Sequence, residues 1–176
     1  MKRVLVIALF SGLALAKSVA ALDTEPPKES HDVVKATYVL TGLHCQGCVK
    51  TIESSLSHAT GIESVTVDWK AKDAHIEFDE SIISAQKVAR LIADTPHMMG
   101  KNMHYEGLLA LNVSEVENDA SAKSATDVLR KIEGVKRATA LPKQHTVEVQ
   151  FDAKGRVTEA QLLSALKDAG FHAKNL

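Results

Sequence analysis

The chain has 176 residues, with 21 Lys and Arg against 22 Asp and Glu and a formal charge of −1. Two cysteines are too few for a disulfide-framework protein. The sequence contains no Gly-rich phosphate loop, nucleophile elbow or paired-carboxylate pattern, so it lacks the motifs of the common nucleotide-binding and hydrolytic enzymes.

The amino-terminal segment 1–21 has the pattern of a secretion signal. Lys2 and Arg3 precede an apolar run over 4–16, and small residues follow it. The run is shorter than the ~20 residues that a membrane span needs. We therefore predict cleavage near residue 21 and a periplasmic or secreted protein with no membrane insertion. Cleavage removes the three positive charges of Lys2, Arg3 and Lys17 and so takes the formal charge from −1 to −4. A negative charge argues against a nucleic-acid partner.

After a leader at 22–33, which is rich in proline and charge and is predicted to be flexible, one pattern of elements occurs twice. Gly61 and Phe78 recur as Gly134 and Phe151 at a spacing of 73 residues. The fold class predicted is α+β, with two tandem βαββαβ domains at 34–106 and 107–176, each an antiparallel sheet with its helices on one face. The alternative is that a strand in 96–107 is shared between the two units. Apolar periodicity predicts strands at 35–40, 61–69, 74–78, 108–113 and 147–151, a further strand that opens at Gly134-Val135, and helices at 49–59, 85–92, 125–132 and 162–166.

Both cysteines lie in one short segment, as Cys45 and Cys48, and Gly47 lets the chain between them turn. The helix predicted to follow places Cys48 at a helix amino terminus, where the dipole and free N–H groups favour a thiolate. Three chemistries remain open: a soft-metal site, a thiol–disulfide redox pair and a structural disulfide. The last would stabilise a chain of this length little, because its loop is so small. Val49 follows Cys48 where a c-type haem site would have histidine, and a four-cysteine zinc site would need a second pair.

The run Gly42-Leu43-His44-Cys45-x-x-Cys48, followed by Ile52, Leu56 and Gly61-Ile62, resembles the heavy-metal-associated domain. That family includes copper chaperones, amino-terminal modules of copper-pumping ATPases and the periplasmic mercury-binding protein. The resemblance covers 35–92 and implies a ferredoxin-like fold with Cys45 and Cys48 as metal ligands. It implies Cu(I) as cargo, with Hg(II), Zn(II) or another soft metal as alternatives. The implied partner is a metal-transporting ATPase, an exporter or another copper protein.

The second repeat lacks the cysteine pair, because Asn118 and Ser121 stand at the equivalent positions. Their oxygen and amide donors suit harder cations than Cu(I). We therefore expect a degenerate copy of the domain that serves as scaffold, cap or docking surface.

The loop 94–105 contains every methionine after the signal segment, and it separates the two repeats. In the resembled fold this loop lies beside the metal loop, so its thioether and imidazole groups are candidate metal or transfer contacts. These candidates, together with the histidine that precedes the cysteine pair, are His44, His97, Met98, Met99, Met103 and His104. The alternative is that the methionines fill gaps in the core and the histidines are solvated.

The function predicted is an exported, non-enzymatic metal-binding protein, a Cu(I) chaperone or scavenger, with a mercury binder as a close variant. A thiol–disulfide oxidoreductase using the same cysteines is the enzymatic alternative, and Thr95-Pro96 would supply its proline. The order of elements argues against it, because the cysteines follow the first strand and His44 precedes them. An adaptor whose second domain docks on a membrane exporter is a third alternative.

Overall fold

The structure is a computed structural model that describes residues 32–176, and these residues lie in one compact unit. The predicted signal segment 1–21 lies outside the described residues, as does the predicted leader up to residue 31. The leader prediction ends where the first strand begins, at Val33. Within 32–176, no helix has the length and apolar character needed to cross a membrane.

Within residues 32–176, an antiparallel sheet and four helices confirm the predicted α+β class. In the first half, β1 (Val33–Thr41), α1 (Gln46–Ser57), β2 (Ile62–Asp68), β3 (Asp73–Asp79) and α2 (Ala85–Asp94) follow the predicted order. The second half comprises β4 (Glu106–Val113), α3 (Asp119–Leu129), β5 (Val135–Leu141), a 3-10 turn (Pro142–Gln144), β6 (Thr146–Phe151), α4 (Glu159–Asp168) and β7 (Ala173–Asn175).

The described strands form one seven-stranded sheet, in the order β2-β3-β1-β4-β6-β5 with β7 also paired to β4, where the sequence predicted two sheets. Strand β4 accounts for the difference. Its residues 106–110 pair with β1 and 111–113 pair with β7 along one edge, while 109–112 pair with β6 along the other. Thus β4 is the fourth strand of the first repeat and the first strand of the second. The predicted boundary at 106/107 falls at the start of this shared strand.

Alternation along the strands sets one face of the sheet against the helices. In β3, Ala74, Ile76 and Phe78 are buried, whereas His75 between them is exposed. The buried side chains of all four helices join those of the strands in one continuous core, which includes Ile52 of α1 and Leu162 of α4. Burial of this apolar surface is the main driving force for the fold.

Polar side chains of the first repeat hold the loop that precedes α4. The buried Gln86 donates through Nε2 to the carbonyls of Asp152 (2.7 Å) and Lys154 (2.8 Å). Its Oε1 accepts from Val157 N–H at 2.9 Å, so the whole amide is satisfied. These bonds join the two repeats beside the shared strand.

We expect Gln86→Ala to lower the free energy of unfolding by about 3 kcal/mol, because it leaves a buried N–H and two carbonyls without partners. Urea unfolding followed by circular dichroism measures the loss. Lys87→Ala, which truncates the exposed neighbour in the same helix, is the control. Equal urea midpoints for the two variants would show that Gln86 does not hold the repeats together.

Candidate metal site

The two cysteines lie where the β1–α1 loop enters the first turn of α1. Cys45 has extended backbone dihedrals at the helix N-cap, and Cys48 N–H donates to the Cys45 carbonyl at 3.0 Å. This tight turn brings the two sulfur atoms to 3.3 Å, within hydrogen-bond distance, and no disulfide joins them. Cys48 is fully buried, whereas Cys45 is half-buried. One sulfur atom is therefore open to an incoming group and the other is held inside.

Gly42 allows the cysteine loop to pass close to the segment before β4. Its φ is +84°, in the region that favours glycine, and a Cβ there would lie 2.4 Å from the His104 carbonyl oxygen. Leu43, the next residue, is buried in the core beneath the loop. A backbone contact and an apolar anchor thus fix the position of the cysteines.

The surroundings of Cys48 favour its thiolate. Burial by itself raises the pKa of the Cys48 thiol, but interactions with the Tyr105 hydroxyl, the His44 and Cys45 backbone and the Cys45 thiol outweigh it, so that the pKa is lowered to about 7. Conversely, burial and the neighbouring Cys48 raise the pKa of Tyr105 to about 12. Tyr105 therefore stays protonated and can donate to the thiolate.

The Tyr105 hydroxyl also favours a charged sulfur in this site. It is buried near Cys48 and the Met98 backbone, but among the described residues it makes no hydrogen bond of good geometry. An unpaired buried hydroxyl is costly. A Cys48 thiolate, free or bound to a metal ion, would supply the missing acceptor. The donor set accordingly fits a soft cation.

His97 anchors the loop 94–105 to the cysteine loop. Its Nδ1 accepts from Met99 N–H at 3.1 Å, which leaves Nε2 as the protonated nitrogen that donates to the Gly42 carbonyl at 2.9 Å. Its ring lies 4.4 Å from that of Tyr105 and 5.7 Å from that of His44. Both ring nitrogens are therefore engaged by the backbone, and in this arrangement neither is available to a metal ion.

The other candidate residues of the loop 94–105 differ in their surroundings. Met98 lies against the cysteine loop, beside Gly47. Met103 and His104 line a surface groove with Met98, and Met99 is exposed. Among residues 32–176, no three His, Cys, Asp or Glu side chains converge on a point that could hold a metal ion. The thiol pair is thus the nucleus of the candidate site.

The repeat that carries the cysteines is similar in sequence to known proteins. The family model of the heavy-metal-associated domain matches residues 37–97. The mercuric transport protein periplasmic component of Shigella flexneri is 33% identical over 86 residues, which cover 49% of this chain and 87% of that protein. The chain belongs to the heavy-metal-associated domain family.

Larger members of the heavy-metal-associated family match over more of the chain. Copper-transporting ATPase 2 of Rattus norvegicus is 25% identical over 166 residues, which cover 92% of this chain but only 11% of the ATPase. The chain therefore spans about a tenth of that protein's length. The water-soluble region of the P-type ATPase CopA from Bacillus subtilis has 19% identity and a TM-score of 0.41, covering 82% of this chain and 92% of that one.

In the second repeat, the residues at the cysteine positions cap a helix. Asn118 Oδ1 accepts from the N–H groups of Ala120 and Ser121, both at 3.0 Å. The Ser121 hydroxyl oxygen accepts in return from Asn118 N–H at 3.3 Å, which completes a capping box. The loss of the cysteines thus coincides with a structural role, and the spacing of Asn118 and Ser121 is the signal that identifies it.

No local pattern in the sequence indicates that Tyr105 lies beside Cys48. Tyr105 stands 57 positions further along the chain and directly before β4, so its only local signal is an aromatic residue at the start of a strand. Pairing of β4 with β1 brings it beside the cysteine loop.

We expect Tyr105→Phe to raise the pKa of Cys48 from about 7 by roughly one unit. A hydrogen bond to a charged group contributes about 1.5 kcal/mol, and one pKa unit corresponds to about 1.4 kcal/mol. The rate of iodoacetamide alkylation against pH, measured in a Cys45→Ser background, reports the change. Tyr38→Phe removes another buried hydroxyl, which donates to the Ala85 carbonyl, and should leave the profile unchanged. Coincident profiles for both tyrosine variants would contradict the role of Tyr105.

Proposed function

We propose that the protein is an exported carrier of a soft metal ion, with Cu(I) as its cargo and Cys45 and Cys48 as the ligands. The observation that supports this most directly is the pair of unbonded sulfur atoms 3.3 Å apart, one of which has its pKa lowered to about 7. Thiolates are the ligands that Cu(I) prefers. A zinc site would need four ligands, and this pair supplies two.

The unequal burial of the two cysteines suits transfer of the ion. Cys45 is half-buried at the surface, whereas Cys48 is fully buried. An ion held by two thiolates has open coordination positions, and a partner's cysteine would approach on the Cys45 side while Cys48 still holds the ion. We propose a metal-transporting ATPase, an exporter or another copper protein as that partner, and the periplasm as the place of exchange.

We propose that the second repeat acts as a rigid extension of the metal-binding repeat. Through β4 the two share a sheet, and Gln86 fixes the loop before α4. The division into domains at 34–106 and 107–176 then describes two copies of one fold joined by a common strand. In this proposal only the first copy binds metal.

Mercury is the second candidate cargo, because a relative with 33% identity is named as a mercuric transport protein. Two thiolates satisfy Hg(II) as well as Cu(I), so the cysteine pair by itself does not discriminate between them. The oxidoreductase alternative has no support in the family match. A pair of thiols of which one is half-buried at the surface nevertheless makes a direct test worthwhile.

Two assays on the reduced protein test the proposal. We expect Cu(I) to be retained in competition with a chromophoric chelator under anaerobic conditions, and no cysteine-dependent reduction of insulin disulfides. Catalysed insulin reduction with Cu(I) lost to the chelator would contradict the carrier function and favour redox chemistry. Hg(II) retention without Cu(I) retention would reassign the cargo.

A further inference from the structure

We infer that Gly47 and Met98 form a matched pair which adds the Met98 thioether to the two thiolates as a third ligand of Cu(I). The inference rests on the proposed function and extends it from two ligands to three. Gly47, which has no side chain, lies inside the cysteine motif, and the Met98 sulfur atom reaches it from a loop some 50 positions further along the chain.

Space for a sulfur atom explains the glycine at position 47. A Cβ at Gly47 would lie 2.8 Å from Met98 Sδ and 3.5 Å from Cys45 Sγ, so both sulfur atoms border the same side of this residue. The first distance is too short for any side chain to coexist with the thioether in its present position.

Backbone conformation does not explain the glycine. Among residues 32–176, the glycines with positive φ are Gly42, Gly61, Gly100, Gly134, Gly155 and Gly170, and Gly47 is not one of them. Gly47 lies in the first turn of α1, where alanine would be the more favourable residue. The sequence therefore places a poor helix former at a position whose backbone any residue could adopt.

Core packing does not explain the position of Met98 either. Its side chain is 59% exposed, whereas a methionine that fills a core gap is enclosed. The backbone around it is nevertheless fixed, because His97 binds the Gly42 carbonyl and accepts from Met99 N–H. The backbone that carries the thioether is thus anchored at the cysteine loop on both sides, which favours a preorganised ligand.

A thioether suits one of the candidate ions better than the others. It is a neutral, soft donor that binds Cu(I) without losing a proton. Two thiolates in a nearly linear arrangement already satisfy Hg(II), and zinc sites in proteins use thiolate, imidazole and carboxylate. The Gly47–Met98 pair would therefore favour Cu(I) over Hg(II) at a motif that accepts both.

A double-mutant cycle tests the pair in the reduced full-length protein. We expect Met98→Leu and Gly47→Ala each to weaken Cu(I) binding about tenfold in chelator competition, and the double variant to be no weaker than either single one. Hg(II) affinity should stay unchanged. Met99→Leu, at the exposed neighbour, is the matched control and should bind Cu(I) like the wild type.

X-ray absorption at the copper edge provides a readout that affinity alone does not. The wild type should show three sulfur neighbours around Cu(I), and Met98→Leu should show two. Two neighbours in the wild type, or additive losses in the cycle, would overturn the pair while leaving the two-cysteine carrier intact. Failure of the wild type to bind Cu(I) at all would instead reject the proposed function.

Discussion

Cys48→Ser is expected to lower the affinity for Cu(I) by roughly a thousandfold or more, about 4 kcal/mol. The reason is that the proposed ligand Cys48 is buried and its surroundings favour the thiolate, with its pKa lowered to about 7. Serine retains the shape of the side chain but stays protonated and is a hard donor. Chelator competition under anaerobic conditions measures the loss.

The matched control for this substitution lies in the second repeat. Ser121→Ala changes the residue that is equivalent to Cys48, and we expect Cu(I) affinity to stay at the wild-type value. Its effect should fall on stability, because it removes one half of the capping box on α3, at a cost of about 1 kcal/mol. If Cys48→Ser kept wild-type affinity, the cysteine pair would not be the metal site.

Glu159→Gln is expected to remove the pH dependence of stability that a buried carboxyl imposes. Glu159 is only 2% exposed, and its Oε2 has no hydrogen-bond partner among residues 32–176. The groups that face it are the Glu80 carboxylate, the Tyr38 hydroxyl and the Asn175 amide. Glu80 already accepts from the N–H groups of Glu159 and Ala160, so it brings a second carboxylate to the same helix end.

The sign of the effect follows from the pKa of Glu159. Burial first, and then the charge of Glu80, raises this pKa to about 8 from an ordinary value of 4.5, and the Asn175 side chain offsets only part of the shift. Between these values the folded protein holds a proton that the unfolded chain has released. The contribution of Glu159 to stability is therefore fully present below pH 4.5 and is lost as the pH rises towards 8.

Urea unfolding at pH 5, 6, 7 and 8 tests the prediction. For each unit that the pH rises, ionisation of Glu159 should lower the free energy of unfolding of the wild type by up to about 1.4 kcal/mol. Relative to the wild type, Glu159→Gln should therefore gain on the order of 3 kcal/mol between pH 5 and pH 8. Glu133→Gln, at an exposed carboxylate, should remain parallel to the wild type. A constant difference between Glu159→Gln and the wild type would mean that Glu159 is ionised in the folded protein.

Local patterns sufficed to predict the elements around the cysteines. The spacing of Val49, Ile52 and Leu56 predicts α1, and Ile52 and Leu56 are indeed buried on its inner face. The run 108–113 predicts a strand, which the structure extends to Glu106–Val113. These predictions depend on periodicity within a few residues, and periodicity can be read directly.

The sharing of β4 was not predictable in the same way. Leu109, Ala110 and Leu111 are all buried, and Leu109 and Leu111 belong to the core, in a strand that is central in the sheet with partners along both edges. A continuous apolar run indicates a central strand without naming its neighbours. Two separate sheets and one shared sheet are therefore equally compatible with the pattern, and long-range pairing decides between them.

The contacts of the candidate site with distant segments were equally beyond prediction from local patterns. The motif identifies Cys45 and Cys48, but the loop 94–105 offers five sulfur or imidazole side chains without indicating which of them reaches the motif. The structure places Met98 against Gly47 and engages His97 with the backbone, and both outcomes depend on how the loop folds back over β1 and α1. Tyr105 reaches Cys48 only through the β1–β4 pairing.

A single metal site at Cys45 and Cys48 is tested most directly by the stoichiometry of Cu(I) binding to the reduced protein, titrated anaerobically against a chromophoric chelator. We expect one tightly bound equivalent, which disappears in Cys48→Ser and persists in Ser121→Ala. A second tight equivalent that survives the loss of Cys48, or no equivalent held against the chelator, would contradict a single metal site built on Cys45 and Cys48.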